Sequence, residues 1–357
     1  MEKELPELTS RQRAILAAVV EEYTRESGPI SSSRVAARRD IKVSPATVRN
    51  TMARLEKLGL LIKPHASAGR IPSDKGLLLH IQSLGQRENI SPAEKQSVDL
   101  QLRRKPGAAP LAPELISQAA KVLSLLTEQA TLATSPRLKR ITLDHIEFVR
   151  LSDFQALAIL VGRGGVIFQK PVAVDFQLQS NDLERYSNYL NAHLTGRTLP
   201  AVRKRIKAEL ASEKASYDQF SRRALSLGGE VIASLDEDDD AGVSLVLDGL
   251  SKALKDPELN AEDIRALTFA LEDKRRILML LDATLKKSNV FVHFGDEESS
   301  MPKNTALVAA PYSGPHGLSG SLAVVGPKRM NYGRVISLLS YTAKTISEDF
   351  SDSDAEN

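Results

Sequence analysis

The chain has 357 residues, 42% of them hydrophobic and 26% charged, which is the balance of a globular protein long enough for two or three domains. It holds no cysteine, which excludes disulfides, thiolate metal sites and a thiol nucleophile. Net charge is only +3, yet the residues up to Arg87 carry 15 Lys and Arg against 9 Asp and Glu, so the basic surplus that a phosphate-binding surface requires lies at one end.

No apolar run approaches the ~20 residues of a membrane span, and MEKELPELTS has no apolar signal core. A cytoplasmic protein with no membrane partner is expected. Thr9 can cap a first helix running to about Ser27, with Ile15, Leu16, Val19 and Tyr23 on one apolar face, and Gly28-Pro29 ends it. Ser31 or Ser32 can cap a short second helix within SSSRVAARRD. Ser44-Pro45 then starts a third, with a capping hydroxyl followed by proline at the first helical position. Val48, Met52, Leu55 and Leu58 form its buried stripe, and Gly59 stops it. At 100° per residue the opposite face carries Ala46, Thr47, Asn50 and Arg54, with Arg49 on its flank. Asn bonds adenine bidentately in the major groove, Arg does so with guanine, and small residues allow close approach. LLIK reads as a strand, PHASAGR as a tight loop, Arg70-Ile71-Pro72 as a short returning strand, and Ser73 as the cap of a helix to Leu84. Three helices and a β-hairpin make a winged helix-turn-helix. The alternatives are an ordinary helical hairpin with a basic exposed face, or a winged helix that binds protein instead of DNA.

Glu88 to Pro113 is polar and proline-bearing and reads as a junction. A helix follows with Leu115, Ala119, Val122, Leu126 and Ala130 on one face. Three strand-like runs come next, ITLDHIEFVRL, ALAILVGR and VIFQKPVAV, with Gly164-Gly165 as a hairpin turn. GRGG lacks the spacing of a phosphate loop and opens no helix. A helix from Asn181 carries Leu183, Tyr186, Leu190 and Leu194, and Pro200 to about Leu235 is helical and charged. Asp236 to Asp240 reads as a solvated loop, since EF-hand spacing is missing. Ile264, Leu267, Leu271, Leu278, Leu281 and Leu285 form a long stripe suited to a core-facing helix or to one packed on a second subunit. FVHFG, ALVAAPY and SLAVVGP read as strands, followed by a helix from Asn331 to about Ile346 and an acidic tail, SEDFSDSDAEN. The six strand-like runs fall in two groups of three, most simply arranged as one sheet flanked by helices and interrupted by a mostly helical insert. The fold class is therefore α+β.

Two blocks go beyond pattern. VSPATVRNTMARLEKLGLL followed by PHASAGRIPSDKG resembles the N-terminal domain of the HrcA family, bacterial heat-inducible transcription repressors. NTALVAAPYSGPHGLSGSLAVVGPKRMNYGRVISLLSYTA is similar to that family's closing block, and IEFVRLSDFQALAILVGRGGVIFQKPV and LDGLSKALKDPELN fit between. Three places depart from the family pattern: GLLLHIQSL replaces a GYRxYVD-like segment, Thr51 stands for an acidic residue, and Pro257-Glu258-Leu259 for a PEF. The resemblance implies a winged-helix domain over 1–87, a linker over 88–112, and a GAF-like domain in two parts, 113–199 and 288–350. It also implies an inserted dimerisation domain over 200–287, with the acidic tail over 351–357. It implies a dimeric repressor of heat-shock chaperone genes, an inverted-repeat (CIRCE) operator, and dependence on the GroE chaperonin.

The expected DNA-binding residues are Ser44, Ala46, Thr47, Arg49, Asn50 and Arg54 on the third helix, with Thr47, Arg49, Asn50 and Arg54 at base edges. Arg34, Lys63, His65, Ser67 and Arg70 are expected to hold phosphates. None of the six histidines, His65, His80, His145, His193, His293 and His316, stands in a metal-ligand spacing, and no GxSxG is present. No enzyme, metal or cofactor is expected. Lys328 and Arg329 in GPKRMNYG suit either a strand-to-helix turn with exposed cations or an anion-binding helix start. Two rival readings are a winged-helix regulator governed by a small ligand in the GAF-like domain, and a non-DNA interaction module or an enzyme.

Overall fold

A computed structural model describes residues 6–26, 28–65, 68–84, 90–102, 112–136, 142–163, 166–211, 218–236, 245–253, 261–287, 289–296, 301–315 and 318–355. Helix α1 is Ser10–Arg25, and Thr9 caps it in a reciprocal capping box with Gln12. Ser31 caps α2, Ser32–Ala36. Ser44 caps α3, Pro45–Lys57, and Pro45 occupies its first turn. At the other end Leu60 N–H reaches the Leu55 carbonyl and Gly59 N–H the Glu56 carbonyl, with Gly59 at φ +72°. That is a Schellman stop, and Leu55 and Leu60 close it as a fully buried pair. Leu58, expected in the buried stripe, is the cap residue and is exposed.

Strands β1, Leu61–Ile62, and β2, Ile71–Pro72, pair antiparallel, and Ile30 bridges to Arg70 as a third element of the wing base. A Cβ at Gly69 would collide with the Ile30 backbone, which is why that turn holds glycine. Ser73 caps α4, Asp74–Leu84, through the Gly76 N–H, and its own hydroxyl donates to the Gly59 carbonyl. The expected linker contains a helix, α5, Pro92–Leu102, capped by Ser91 with Glu94 reaching back. Val98 and Leu102 anchor it in the core, a pattern too short and too polar to stand out from its surroundings.

Helix α6, Ala112–Thr127, buries Leu115, Ala119 and Val122, but Ala130 is not on it. The chain turns at Glu128, φ +58°, and Ala130 opens strand β3, Ala130–Thr134. β3 then joins β7 (Leu245–Asp248), β8 (Phe291–Phe294), β9 (Thr305–Ser313) and β10 (Ser319–Pro327) in an antiparallel sheet of order β7-β3-β10-β9-β8. Both faces of its three central strands, β3, β10 and β9, are buried. Ala133, Val308, Ala310, Leu322 and Val324 face the core shared with α6 and the last helix, α13, Tyr332–Ala355. The alternate residues Leu132, Leu307, Ala309, Ala323 and Val325 face a second core. Strands buried on both faces read as unbroken apolar runs, as ALVAAPY and SLAVVGP do.

The six expected strands do not make one sheet. β4 (Leu143–Ser152), β5 (Gln155–Gly162) and β6 (Val166–Ala173) form their own antiparallel meander, β4-β5-β6. The turn glycines between β5 and β6, Gly164 and Gly165, lie outside the described residues. Helix α7, Ser180–Leu194, covers one face with Leu183, Tyr186, Leu190 and Leu194. The Asn191 amide bonds both backbone groups of Ile146, and the Ser187 hydroxyl accepts from the Phe148 N–H, so α7 also satisfies the β4 edge. Helices α8, Leu199–Leu210, and α9, Gln219–Asp236, complete this unit. β3 and β7 are neighbours in the five-stranded sheet, so everything between them is an excursion from that sheet. The excursion includes the β4–β6 meander with α7, α8 and α9.

After β7 come a short helix α10, Leu250–Ala253, then α11, Ala261–Glu272, and α12, Lys274–Lys287. The heptad-like stripe is thus broken at Asp273 into two helices. Its members Leu267, Leu271 and Leu281 pack with Ile277 onto the second face of the five-stranded sheet, the core-facing arrangement. The final helix passes Ile346 and reaches Ala355, with Phe350 buried against Tyr312, so the expected tail is largely helical. Of the expected acidic loop, Asp236 ends α9, and residues 237–240 lie outside the described residues. No helix among the described residues is long and apolar enough to cross a membrane.

Candidate nucleic-acid interface

The third helix turns one face inward and one outward, as its spacing requires. Val48, Met52 and Leu55 are fully buried, while Ala46, Arg49, Asn50 and Arg54 are exposed. Thr51 is buried and its hydroxyl donates to the Thr47 carbonyl. Thr47 itself is half-buried, and its hydroxyl lies 3.0 Å from the Ser44 hydroxyl within the cap. Among the described residues, the side chains of Arg49, Asn50 and Arg54 have no hydrogen-bond or ion-pair partner, so their polar groups are directed to solvent. Lys63 and His65 are exposed beyond β1, and their side chains likewise have no partner among the described residues. Ser67 lies outside the described residues.

Two expected phosphate contacts have different surroundings. Arg34 donates from Nε to Glu22 at 2.6 Å and forms a second pair with Glu26. Arg70, its side chain only 13% exposed, donates from Nε to Glu56 at 2.8 Å. Each guanidinium is spent inside the domain, on a carboxylate that would repel a phosphate. Glu22 is the hub of the first network: Arg38 lies 3.2 Å and Arg25 3.3 Å from it, and Arg38 also pairs with Glu21 and Asp40. The Arg34 hydrogen bond holds the Glu22 carboxyl below its ordinary range, against the opposing pull of burial. This network ties α1 to α2 and to the turn that follows it. Sequence spacing could not reveal it, because Glu22 and Arg34 belong to different helices. Lys42, two residues before the Ser44 cap, is exposed and unpaired among the described residues, and the expected site omitted it. Its place beside the helix start was the available signal.

The winged helix rests on the body through α4. Lys328, at the turn after β10, holds Asp74 at 2.8 Å, and Arg334 holds Glu94 at 2.8 Å. In GPKRMNYG, Lys328 is held by Asp74 of the winged helix, and Asn331 caps α13. A groove of about 700 Å³ runs along this seam, lined by Ile81, Leu84, Ile90, Ile336 and Tyr341 among others. Among the described residues no group of three metal-ligating side chains occurs.

Residues 7–82 match the family described as "Winged helix-turn-helix transcription repressor, HrcA DNA-binding", and residues 113–336 match "HrcA protein C terminal domain". The chain belongs to the HrcA family. It is 36% identical over 348 residues to the heat-inducible transcription repressor HrcA of Anaeromyxobacter sp. (strain K), covering 96% of each chain. It is 33% identical over 345 residues to that of Geobacter sulfurreducens, covering 96% of this chain and 98% of the relative. Among solved structures, one described as a hypothetical protein at 2.2 Å resolution is 26% identical, with a TM-score of 0.60 over 97% of this chain and 99% of that one. HrcA membership makes the chain a winged-helix, DNA-binding transcription repressor, and the relatives are named as repressors.

Proposed function

We propose that this HrcA-family chain is a dimeric cytoplasmic repressor that binds an inverted-repeat operator of the CIRCE type before heat-shock chaperone genes. Its active state depends on the GroE chaperonin, which heat diverts to unfolded clients. One observation carries the reading: α3 presents Arg49, Asn50 and Arg54, exposed and unpaired among the described residues, around the small Ala46. That is the chemistry of a helix built for a major groove. Lys42, Lys63 and His65 supply flanking groups for phosphates. Helix-turn-helix dimers match inverted repeats, so one α3 would enter each half-site.

A two-fold partner needs an apolar surface, and the β4–β6 meander has one. Val149 pairs with Leu157, and Val161 with Ile167, on the face opposite α7. Val149 and Ile167 are 44% and 38% exposed. In this reading the meander unit is the inserted dimerisation domain and the five-stranded sheet is the GAF-like domain.

Hydroxyl-radical footprinting on a chaperone-gene operator tests the proposal, with and without GroE. Two protected half-sites related by symmetry are expected, weakening on heating and restored by chaperonin. Protection of one half only, or of no site even with GroE, would contradict it.

A further inference from the structure

We infer that Arg70 and Glu56 form a strut that positions the wing against the recognition helix, and that Arg70 serves DNA binding without touching DNA. The inference rests on the operator reading above. Arg70 opens the returning strand of the wing, and its backbone is paired in both directions with Ile30, at 2.9 Å each. Its side chain donates to Glu56 on the last turn of α3. Three segments therefore meet at this one residue: the connector after α1 at its backbone, the base of the wing that it belongs to, and the C-terminal end of α3 at its guanidinium.

A phosphate contact needs an accessible cation with no competing anion. Arg70 has neither property, because its side chain is 13% exposed and a carboxylate sits 2.8 Å from Nε. Glu56 also lies six residues, about 9 Å along the helix axis, beyond Asn50 and towards the end that a major-groove helix holds away from the bases. The wing hairpin itself has only two residues in each strand. So short a ladder fixes the direction of a loop poorly, and a charge-assisted bond to the neighbouring helix supplies the missing constraint. Lys63 and His65, beyond the ladder, are the groups this strut would aim.

The test is fluorescence anisotropy on an inverted-repeat duplex and a scrambled duplex across a salt series, with GroE present. The full-length chain is compared with Arg70→Ala, Glu56→Gln, the two combined, and Lys63→Ala as a phosphate-contact reference. Arg70→Ala and Glu56→Gln are each expected to weaken repeat binding about tenfold, with the salt slope of the unaltered chain. The combined variant is expected to be no weaker than either alone. Lys63→Ala is expected to flatten the slope by about one. The exchange Glu56→Arg with Arg70→Glu, which can re-form the pair, is expected to recover binding, and it decides the matter if the single variants unfold in a thermal melt. Arg70→Ala flattening the slope while Glu56→Gln leaves binding unchanged or tighter would overturn the strut and make Arg70 a phosphate contact. An exchange variant that fails to recover would also overturn it. An unaltered chain with no preference for the repeat is a separate failure, because it removes the operator reading itself and the strut with it.

Discussion

Glu22 shows how far a single side chain can govern a DNA-binding domain that it does not expose. Its side chain is 7% accessible, and three arginines, from α1, from α2 and from the turn after α2, surround it. Because the native carboxyl titrates below its ordinary 4.5, the unfolded chain takes up the proton first as the pH falls. The stability from this group is fully present above the ordinary carboxylate range and is lost as pH falls through the lowered native value. Glu22→Gln should cost roughly 2–3 kcal/mol at neutral pH and give a shallower acid dependence of melting temperature. Parallel pH profiles for the two proteins would contradict this. His80 acts in the same direction at higher pH. Burial between α1 and α4 lowers its native value from 6.5, with Glu21 opposing, so the neutral ring is favoured. Its proton resonances should titrate below 6.5, and a midpoint above that would contradict the burial. The residues turned outward were legible in the sequence, since helical phase alone separates Asn50 from Met52. The partners of Arg34 and Arg70 were not, because ion pairs between elements leave no periodic trace.

At the scale of elements, local chemistry spoke clearly. Thr9, Ser31, Ser44 and Ser73 each cap the helix their position suggests, because a cap needs only its own next three residues. The stop of α3 is equally local. Gly59 stands at φ +72° with nothing near its missing Cβ, so Gly59→Ala should cost about 1 kcal/mol in strain alone, read from denaturant unfolding. A neutral result would mean that the Schellman stop is not holding the helix end. Strands β3 and β7 escaped notice for a physical reason. They have five and four residues, and β3 is buried throughout, so it shows no alternation. The break at Asp273 was hidden by a stripe that keeps its phase across two helices. Pairing between distant strands was hidden most completely. β3 meets β10 and β7 across long separations, which no local pattern encodes.

At the scale of the whole molecule, the two family blocks touch. Asp74 of the first is held by Lys328 of the second, and this pair lies on the seam between the DNA-binding unit and the body. It is partly solvated, so its own contribution is about 1 kcal/mol or less. Lys328→Ala should therefore leave global stability nearly unchanged yet speed hydrogen exchange in α4. Unaltered exchange there would show that the seam is held by other contacts. The dimer proposed for the meander face makes a second prediction: Val149→Asp with Ile167→Asp should shift sedimentation to the monomer and cost operator affinity. A dimer that survives both changes would place the interface elsewhere. Neither the seam nor the open sheet face was visible in the sequence, because each exists only after distant segments have packed.

The most direct test of the account compares an inverted-repeat duplex with a scrambled duplex of equal length, by anisotropy, for the unaltered chain, Arg49→Ala and Asn50→Ala. Preference for the repeat by about 10³ or more, cut sharply in both variants while weak binding to the scrambled duplex persists, is the predicted result. Equal binding to both duplexes by all three proteins, with GroE present, would contradict the claim that this face of α3 reads DNA.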